Sequence, residues 1–298
     1  MSFAAHCGWV DIVTYLLDVR NYEVYQTTRH LKTPLHSAQN GHEEMVHILL
    51  AHGANVHATV PDFGYTALIY SSVGVYLGIT IMLIKHDPAV IRARMSDGET
   101  PFSVAAKSAY FEVFKLLLKS RCDINDSCSI SGDTLAHIAC REAQSLLLEC
   151  ILAQSSSSLW QTNDEGETPL MIAASQASSV TVDVIFRYCE KKGINSRELF
   201  ARDKTGRSIL SVAVSGGNSN IVGRILEIGG NEGIGLIDNH GLSPLLYAIR
   251  DNQPDVVRLL LTRSPKLKSI INQRIPQYGR TSLSWASFSR DKETALQL

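Results

Sequence analysis

The chain has 298 residues, and its 28 basic and 29 acidic side chains leave a formal net charge of −1. A balance that close supplies no global field for DNA, RNA or an anionic membrane, so charge argues against nucleic acid as the partner. The length alone would suggest two domains, and only internal order in the sequence can overrule that.

That order emerges along the chain. Met1-Ser2-Phe3-Ala4-Ala5 lacks the basic stretch of a secretory signal and runs at once into His6, Trp9 and Asp11, which points to the cytosol or nucleus. Ala4 and Ala5 are small, Gly8 suits a turn, and Ile12, Val13, Leu16 and Leu17 recur at helical spacing. Thr33-Pro34-Leu35-His36-Ser37-Ala38 follows, and its spacing returns as Thr66-Ala67-Leu68, Thr100-Pro101-Phe102, Thr134-Leu135-Ala136-His137, Thr168-Pro169-Leu170, Ser208-Ile209-Leu210, Ser243-Pro244-Leu245 and Thr281-Ser282-Leu283. Ala38, Ser71, Ala105, Ala139, Ala173, Ala213, Ala248 and Ala286 close these copies with a small residue.

Each position has a physical reading. A Gly stands two residues before seven of the markers, from Gly64 and Gly98 to Gly241 and Gly279, where a tight turn demands positive φ. The Thr or Ser after it can cap a helix, and Pro next to it has its φ preset for the first helical position. A second helix then carries apolar residues such as Val46, Leu49 and Leu50, or Val113, Phe114, Leu117 and Leu118, whose faces one repeat cannot bury alone. Stacked neighbours bury them.

A period near 33 headed by Thr-Pro-Leu-His-x-Ala resembles the ankyrin repeat. The resemblance covers essentially the whole chain. It implies an all-α solenoid of about nine stacked helix-turn-helix repeats with short β-hairpin tips, as one domain over residues 1–298. Repeats start near 33, 66, 100, 134, 168, 208, 243 and 281, after a partial repeat over 1–32. The chain also stops inside a repeat, so we read it as a segment of a longer protein whose uncapped ends, with Ile12, Val13, Leu16, Leu17, Leu283 and Trp285, should fray or self-associate.

Several stretches invite sharper readings. His42, His47, His52 and His57 are five apart and do not share a helical face as metal ligands would, and His36 is the marker's own His, which by resemblance bonds neighbouring backbone. Phe63 to Ile84 carries no charge, yet it contains a hairpin and a helix-helix turn at Gly74, which argues against membrane insertion. Its second helix presents Tyr76, Gly78 and Thr80 where the preceding repeat has Glu43 and Glu44, a weakly polar outer face that suits a contact. Gln154 to Trp160, with the run Ser155 to Ser158, reads as a surface connection, and the long step from 168 to 208 as a loop or helix extension at Glu190 to Asn195. Asp123-Ile124-Asn125 is similar to ankyrin sites that asparagine hydroxylases modify. The six cysteines include no Cys-x-x-Cys pair and read as buried thiols in a reducing compartment.

No catalytic motif, cofactor loop or metal site stands out, so the sequence does not read as an enzyme. By resemblance to ankyrin solenoids, the chain presents a concave wall of tips and first helices to a protein or peptide, as a scaffold or as the sensing arm of a larger enzyme, channel or receptor. Along that wall Asp97, Glu99, Asp133, Asp164, Glu165 and Glu167 form an acidic centre, diluted by Lys107 and Arg141, with Arg29, His30, Lys32, Lys204, Arg207 and Arg280 at the flanks. A basic, extended segment is the partner such a centre selects.

Overall fold

A computed structural model describes residues 1–20, 23–24, 33–108, 110–120, 123–125, 128–195, 200–231 and 233–264. The marker at Thr281, Gly279, Arg280, Leu283, Trp285 and Ala286, the cations Arg29, His30 and Lys32, and Cys122 lie outside the described residues.

Contacts cluster the chain into two units, Met1–Ile138 and Ala139–Leu298. The first holds α1 (Ser2–His6), α2 (Val10–Asp18), a 3-10 helix at Pro34–Asn40, α3 (Glu43–Ala51), α4 (Ala67–Val73), α5 (Leu77–His86), a 3-10 turn at Pro88–Arg92, α6 (Pro101–Lys107) and α7 (Phe111–Lys119). The division falls within α8 (Leu135–Arg141). The second unit holds α9 (Ser145–Gln154), a 3-10 turn at Ser156–Leu159, α10 (Pro169–Ser175), α11 (Ser179–Lys192), α12 (Ile209–Gly216), α13 (Ser219–Gly229), α14 (Pro244–Arg250) and α15 (Pro254–Arg263).

Within each unit the helices stack in two rows. First helices pack on first helices, as α4 on α6 and α10 on α12, and second helices on second helices, as α3 on α5 and α11 on α13. The small closing residues suit the first row, since Ala38, Ala105, Ala173, Ala213 and Ala248 are buried and a methyl group lets close-packed helices approach. The second row buries Leu49, Leu83, Leu117, Leu148, Ile185 and Leu260, each contributing about 1.5–3 kcal/mol by leaving water.

The helix starts follow the marker. Thr66, Thr100, Thr168, Ser208 and Ser243 each accept, on the side-chain oxygen, the backbone N–H three residues on. At three markers the third residue reaches back: His36 Nδ1 accepts from Thr33 N at 2.9 Å, His137 Nδ1 from Thr134 N at 3.1 Å and Ser103 Oγ from Thr100 N at 2.8 Å. An Nδ1 that accepts leaves the proton on Nε2, and His36 Nε2 donates it to the carbonyl of Tyr65, 3.2 Å away in the next tip. The marker histidine thus ties one repeat to the next.

The turn between the two helices corrects the register expected at Gly74. Among the described residues left-handed φ falls on Gly8, Gly41, Val75, Ala143, Ala177, Gly217 and Asn252, each between the two helices of its repeat, so Val75 and not Gly74 turns the chain in the third. Gly74 and Gly41 are needed for another reason: the Tyr76 ring lies where a Cβ on either would stand. Likewise the Glu43 carboxylate covers Gly78, and Thr80 is fully buried with hydrogen bonds to Ser71 Oγ and the Tyr76 carbonyl, both at 3.0 Å. The weakly polar outer face expected from Tyr76, Gly78 and Thr80 is therefore mostly packing.

Other expectations divide. The long step from 168 to 208 is a helix extension in part, with α11 ending at Lys192 and Gly193 turning left-handed after it. The serine run is only half a surface, since Ser156 and Ser157 are exposed whereas Ser158 and Leu159 are buried in a 3-10 turn. In the first repeat Val13 and Leu17 are buried and α2 packs on α3, so its open face is Phe3, Trp9, Ile12 and Tyr15 instead. Burial pushes the Cys128 thiol up to about 12, with Asp133 and Glu99 adding to the effect, and burial also raises Cys140. Among the described residues no helix is long and apolar enough to cross a membrane.

Candidate functional site

The tips lie between a second helix and the next marker, and each is closed by a backbone hydrogen bond: Val60 N to Tyr65 O, Met95 N to Glu99 O, Cys128 N to Asp133 O, Asn163 N to Glu167 O, Asp203 N to Arg207 O and Asp238 N to Leu242 O. Gly64, Gly98, Gly132, Gly166, Gly206 and Gly241 all take the left-handed φ anticipated for them. The described residues hold only two isolated bridges here, Val60 with Tyr65 and Arg202 with Ser208, so the tips are tight turns with no strand. Backbone also links consecutive tips, through Ser96 N to Phe63 O at 3.1 Å in the first unit, and through Lys204 N to Glu165 O and Asn239 N to Thr205 O at 2.9 Å in the second. These bonds hold neighbouring tips at fixed spacing, which a long binding surface requires.

Of the acidic residues read as a centre, the first unit holds Asp97, Glu99 and Asp133 together with Lys107. Asp97 is exposed, with Oδ1 accepting Glu99 N at 3.1 Å. Glu99 forms an ion pair with Lys107, so the cation expected to dilute the patch neutralises one member outright. Asp133 is buried at 5% exposure, its N–H bonded to Ser129 Oγ.

The second unit holds Asp164, Glu165, Glu167 and Arg141. Asp164 and Glu165 are exposed, whereas Glu167 accepts from Asn163 Nδ2 at 3.2 Å and faces Arg207 at 3.4 Å. Arg207, read as a basic flank, is in fact shared between Glu167 and Asp203, the latter at 2.6 Å. Arg141 is half-buried at the end of α8. The carboxylates open to a partner are thus Asp97 in one unit and Asp164 and Glu165 in the other.

Two kinds of residue escaped the charge count. Asn163, Asp203 and Asp238 are buried at the base of their tips, each Oδ1 accepting the N–H groups two and four residues on at 2.8–3.1 Å. Burial is the strongest single influence on Asp203 and pushes its carboxyl up, but the bonds from Thr205 and Arg207 and the guanidinium charge outweigh it and hold it below the usual range. Asp238 Oδ2 accepts the Tyr247 hydroxyl at 2.5 Å, and burial followed by that bond raises the phenol. The signal was in the spacing, Asp or Asn three residues before the tip Gly, which sets up an Asx turn. The second kind is apolar: Phe63 and Ile130 stand out on their tips, 62% and 73% exposed.

Also in the first unit, His–carboxylate pairs join consecutive repeats. His52 Nε2 lies 2.8 Å from Asp18 Oδ1 while its Nδ1 lies 2.8 Å from the Ile48 carbonyl, and His57 Nε2 lies 2.7 Å from Asp87 Oδ2. Two acceptors on one imidazole favour the doubly protonated ring, so the Ile48 carbonyl first and Asp18 second raise His52. Among the described residues no group of three or more His, Cys, Asp or Glu could hold a metal.

The family model described as Ankyrin repeats (3 copies) matches residues 1–60, 182–274 and 210–298, and the one described as Ankyrin repeat matches 97–129. The chain is 29% identical over 161 residues to the nuclear factor NF-kappa-B p105 subunit of Gallus gallus, covering 53% of this chain and 16% of that protein. It is 23% identical over 256 residues to the transient receptor potential cation channel subfamily A member 1 homolog of Caenorhabditis elegans, covering 85% of this chain and 20% of the channel. It is 30% identical over 150 residues to neurogenic locus notch homolog protein 1 of Xenopus tropicalis, covering 50% of this chain and 6% of that protein. The chain thus spans a fifth or less of each of these three relatives.

Proposed function

Because the chain belongs to the ankyrin repeat family, whose repeats generally mediate protein–protein interaction, we propose that it binds a protein or peptide along its tips and first helices. The reading is of a binding module in the cytosol or nucleus, with neither catalysis nor nucleic acid in its role. The observation that carries it is the set of hydrogen-bonded tips, which hold Asp97, Asp164 and Glu165 outward on a backbone that is already ordered. A basic, extended segment fits the exposed carboxylates of either unit, which act mainly on association rate and specificity. Preordered tips lower the entropy lost on binding.

A second reading places the chain as a sensing arm within a longer protein. Its support is the small share of each relative that the chain covers, including a relative named as a cation channel. The two readings use the same surface.

The test selects binders from a random peptide library displayed against the full chain, then maps the bound peptide by amide hydrogen exchange. Protection should fall on residues 60–65 and 95–99 in one unit or on 163–167 in the other, in peptides rich in Lys or Arg. Protection confined to the second helices, or selection of acidic peptides, would overturn the reading.

A further inference from the structure

We propose that the corner made by Phe63, Tyr65 and Tyr70, with the carboxylates of Asp62 and Asp97 beside it, seats one arginine of the bound segment. The inference rests on the tips being the protein-binding surface, and adds what one place on them recognises.

The corner is built from the backbone up. The third tip turns at Gly64, whose backbone lies so close to Met95 Cα that an added Cβ would stand 3.0 Å from it. Ser96 N donates to the carbonyl of Phe63 at 3.1 Å, which brings Asp97, the next residue, alongside. Phe63 meets Tyr65 edge to face, 6.1 Å between centroids at 74°, and Tyr65 stacks on Tyr70 at 4.9 Å and 25°. Behind them His36 sets its edge against Tyr70 at 5.8 Å and bonds the Tyr65 carbonyl, so the second ring is held in place from the preceding repeat.

The Phe63 ring, largely in water and braced by Tyr65, gives a flat cation an open face to lie on. A guanidinium is planar, weakly hydrated and rich in in-plane donors, so it can stack on a ring and still bond a carboxylate at its rim. Asp62 and Asp97 are both exposed and available for that bond. Nearby cations of the chain are already committed: Arg94 Nη1 donates to the Gly98 carbonyl at 3.3 Å, and Lys107 pairs with Glu99. An ammonium matches the charge but not the plane, so arginine should be preferred over lysine.

The test measures fluorescence anisotropy of the full chain with labelled Gly-Ser peptides carrying spaced arginines, lysines or citrullines. The arginine peptide should bind about threefold tighter than the lysine peptide, the size of an exposed cation–ring contact, and citrulline should be weakest. Phe63→Ala should abolish the preference and Phe63→Tyr keep it, and because Phe63 is largely exposed the thermal midpoint should not move. Equal binding of arginine and lysine by the wild type, or a preference that survives Phe63→Ala, overturns the seat. If all three peptides bind equally while amide exchange still places selected peptides on the tips, the seat fails and the broader reading stands. Absence of any binding at millimolar peptide also overturns the seat.

Discussion

The tips before Thr66 and Thr100 and the tips before Ser208 and Ser243 are each closed by a backbone hydrogen bond and turned by a left-handed Gly, yet they are built on different foundations. In the second unit a buried Asp gathers the tip around itself: Asp203 and Asp238 are each 6% exposed and take two backbone N–H groups on one oxygen. In the first unit that position is Pro61 or Met95, whose side chains cannot gather backbone N–H groups, and Asp62, Phe63 and Asp97 are exposed. One repeat geometry therefore buries carboxylates for folding in one place and leaves them exposed in another. Charge counted along tips cannot separate the two roles. Burial can.

The largest expected effect breaks the comparison directly. Asp238→Ala strands the N–H groups of His240 and Leu242 and the Tyr247 hydroxyl, and should cost about 3 kcal/mol in urea denaturation. Asp97→Ala and Asp164→Ala, on exposed carboxylates, should each cost less than about 0.5 kcal/mol. Equal costs would mean that the tips do not differ as described.

A middle-sized effect lies at the other turn. Val75 is a β-branched residue at φ 62° and 45% exposed, so Val75→Gly should relieve left-handed strain at little loss of packing. A gain of about 0.5–1 kcal/mol is expected after the entropy of the added glycine is set against the strain removed. A loss would show that the strain is spread into neighbouring residues.

The smallest effect is a pH response of opposite sign at His52 and at Asp203. His52 is raised in the fold, so its contribution is fully present below its unfolded value of 6.5 and fades as pH rises through the folded value. Asp203 is lowered, so its contribution is present above its unfolded value of 3.8 and fades as pH falls through the folded one. Opening free energies from amide exchange should fall around α2 and α3 between pH 6 and 8, and should not change over that range around residues 203–208. His52→Gln should remove the first trend.

Much of this was legible in the residues because the repeat's chemistry is local. Thr100 capping Ser103, Gly98 turning the tip and Ala105 closing the helix row follow from spacing and backbone sterics alone. What escaped depends on contacts across repeats. Gly78 reads as a missing charge until Glu43 from the repeat before is seen to occupy its space, and Thr80 reads as surface until Ser71 is found beside it. Glu99 and Glu167 looked available until Lys107 and Arg207 were found against them. The Phe63 corner went unnoticed because its partners, Tyr70 and His36, lie in other elements of the fold.

The most direct test of carboxylates reserved for recognition is a single comparison: affinity and salt dependence of a selected basic peptide for the wild type and for Asp97→Asn/Asp164→Asn/Glu165→Gln. The account predicts binding weakened about tenfold at low salt, a flatter salt dependence and an unchanged urea midpoint, because these side chains are exposed and the amide that replaces the Asp97 carboxylate still offers Oδ1 to Glu99 N. Unchanged affinity and salt dependence, or a lowered midpoint, would contradict it.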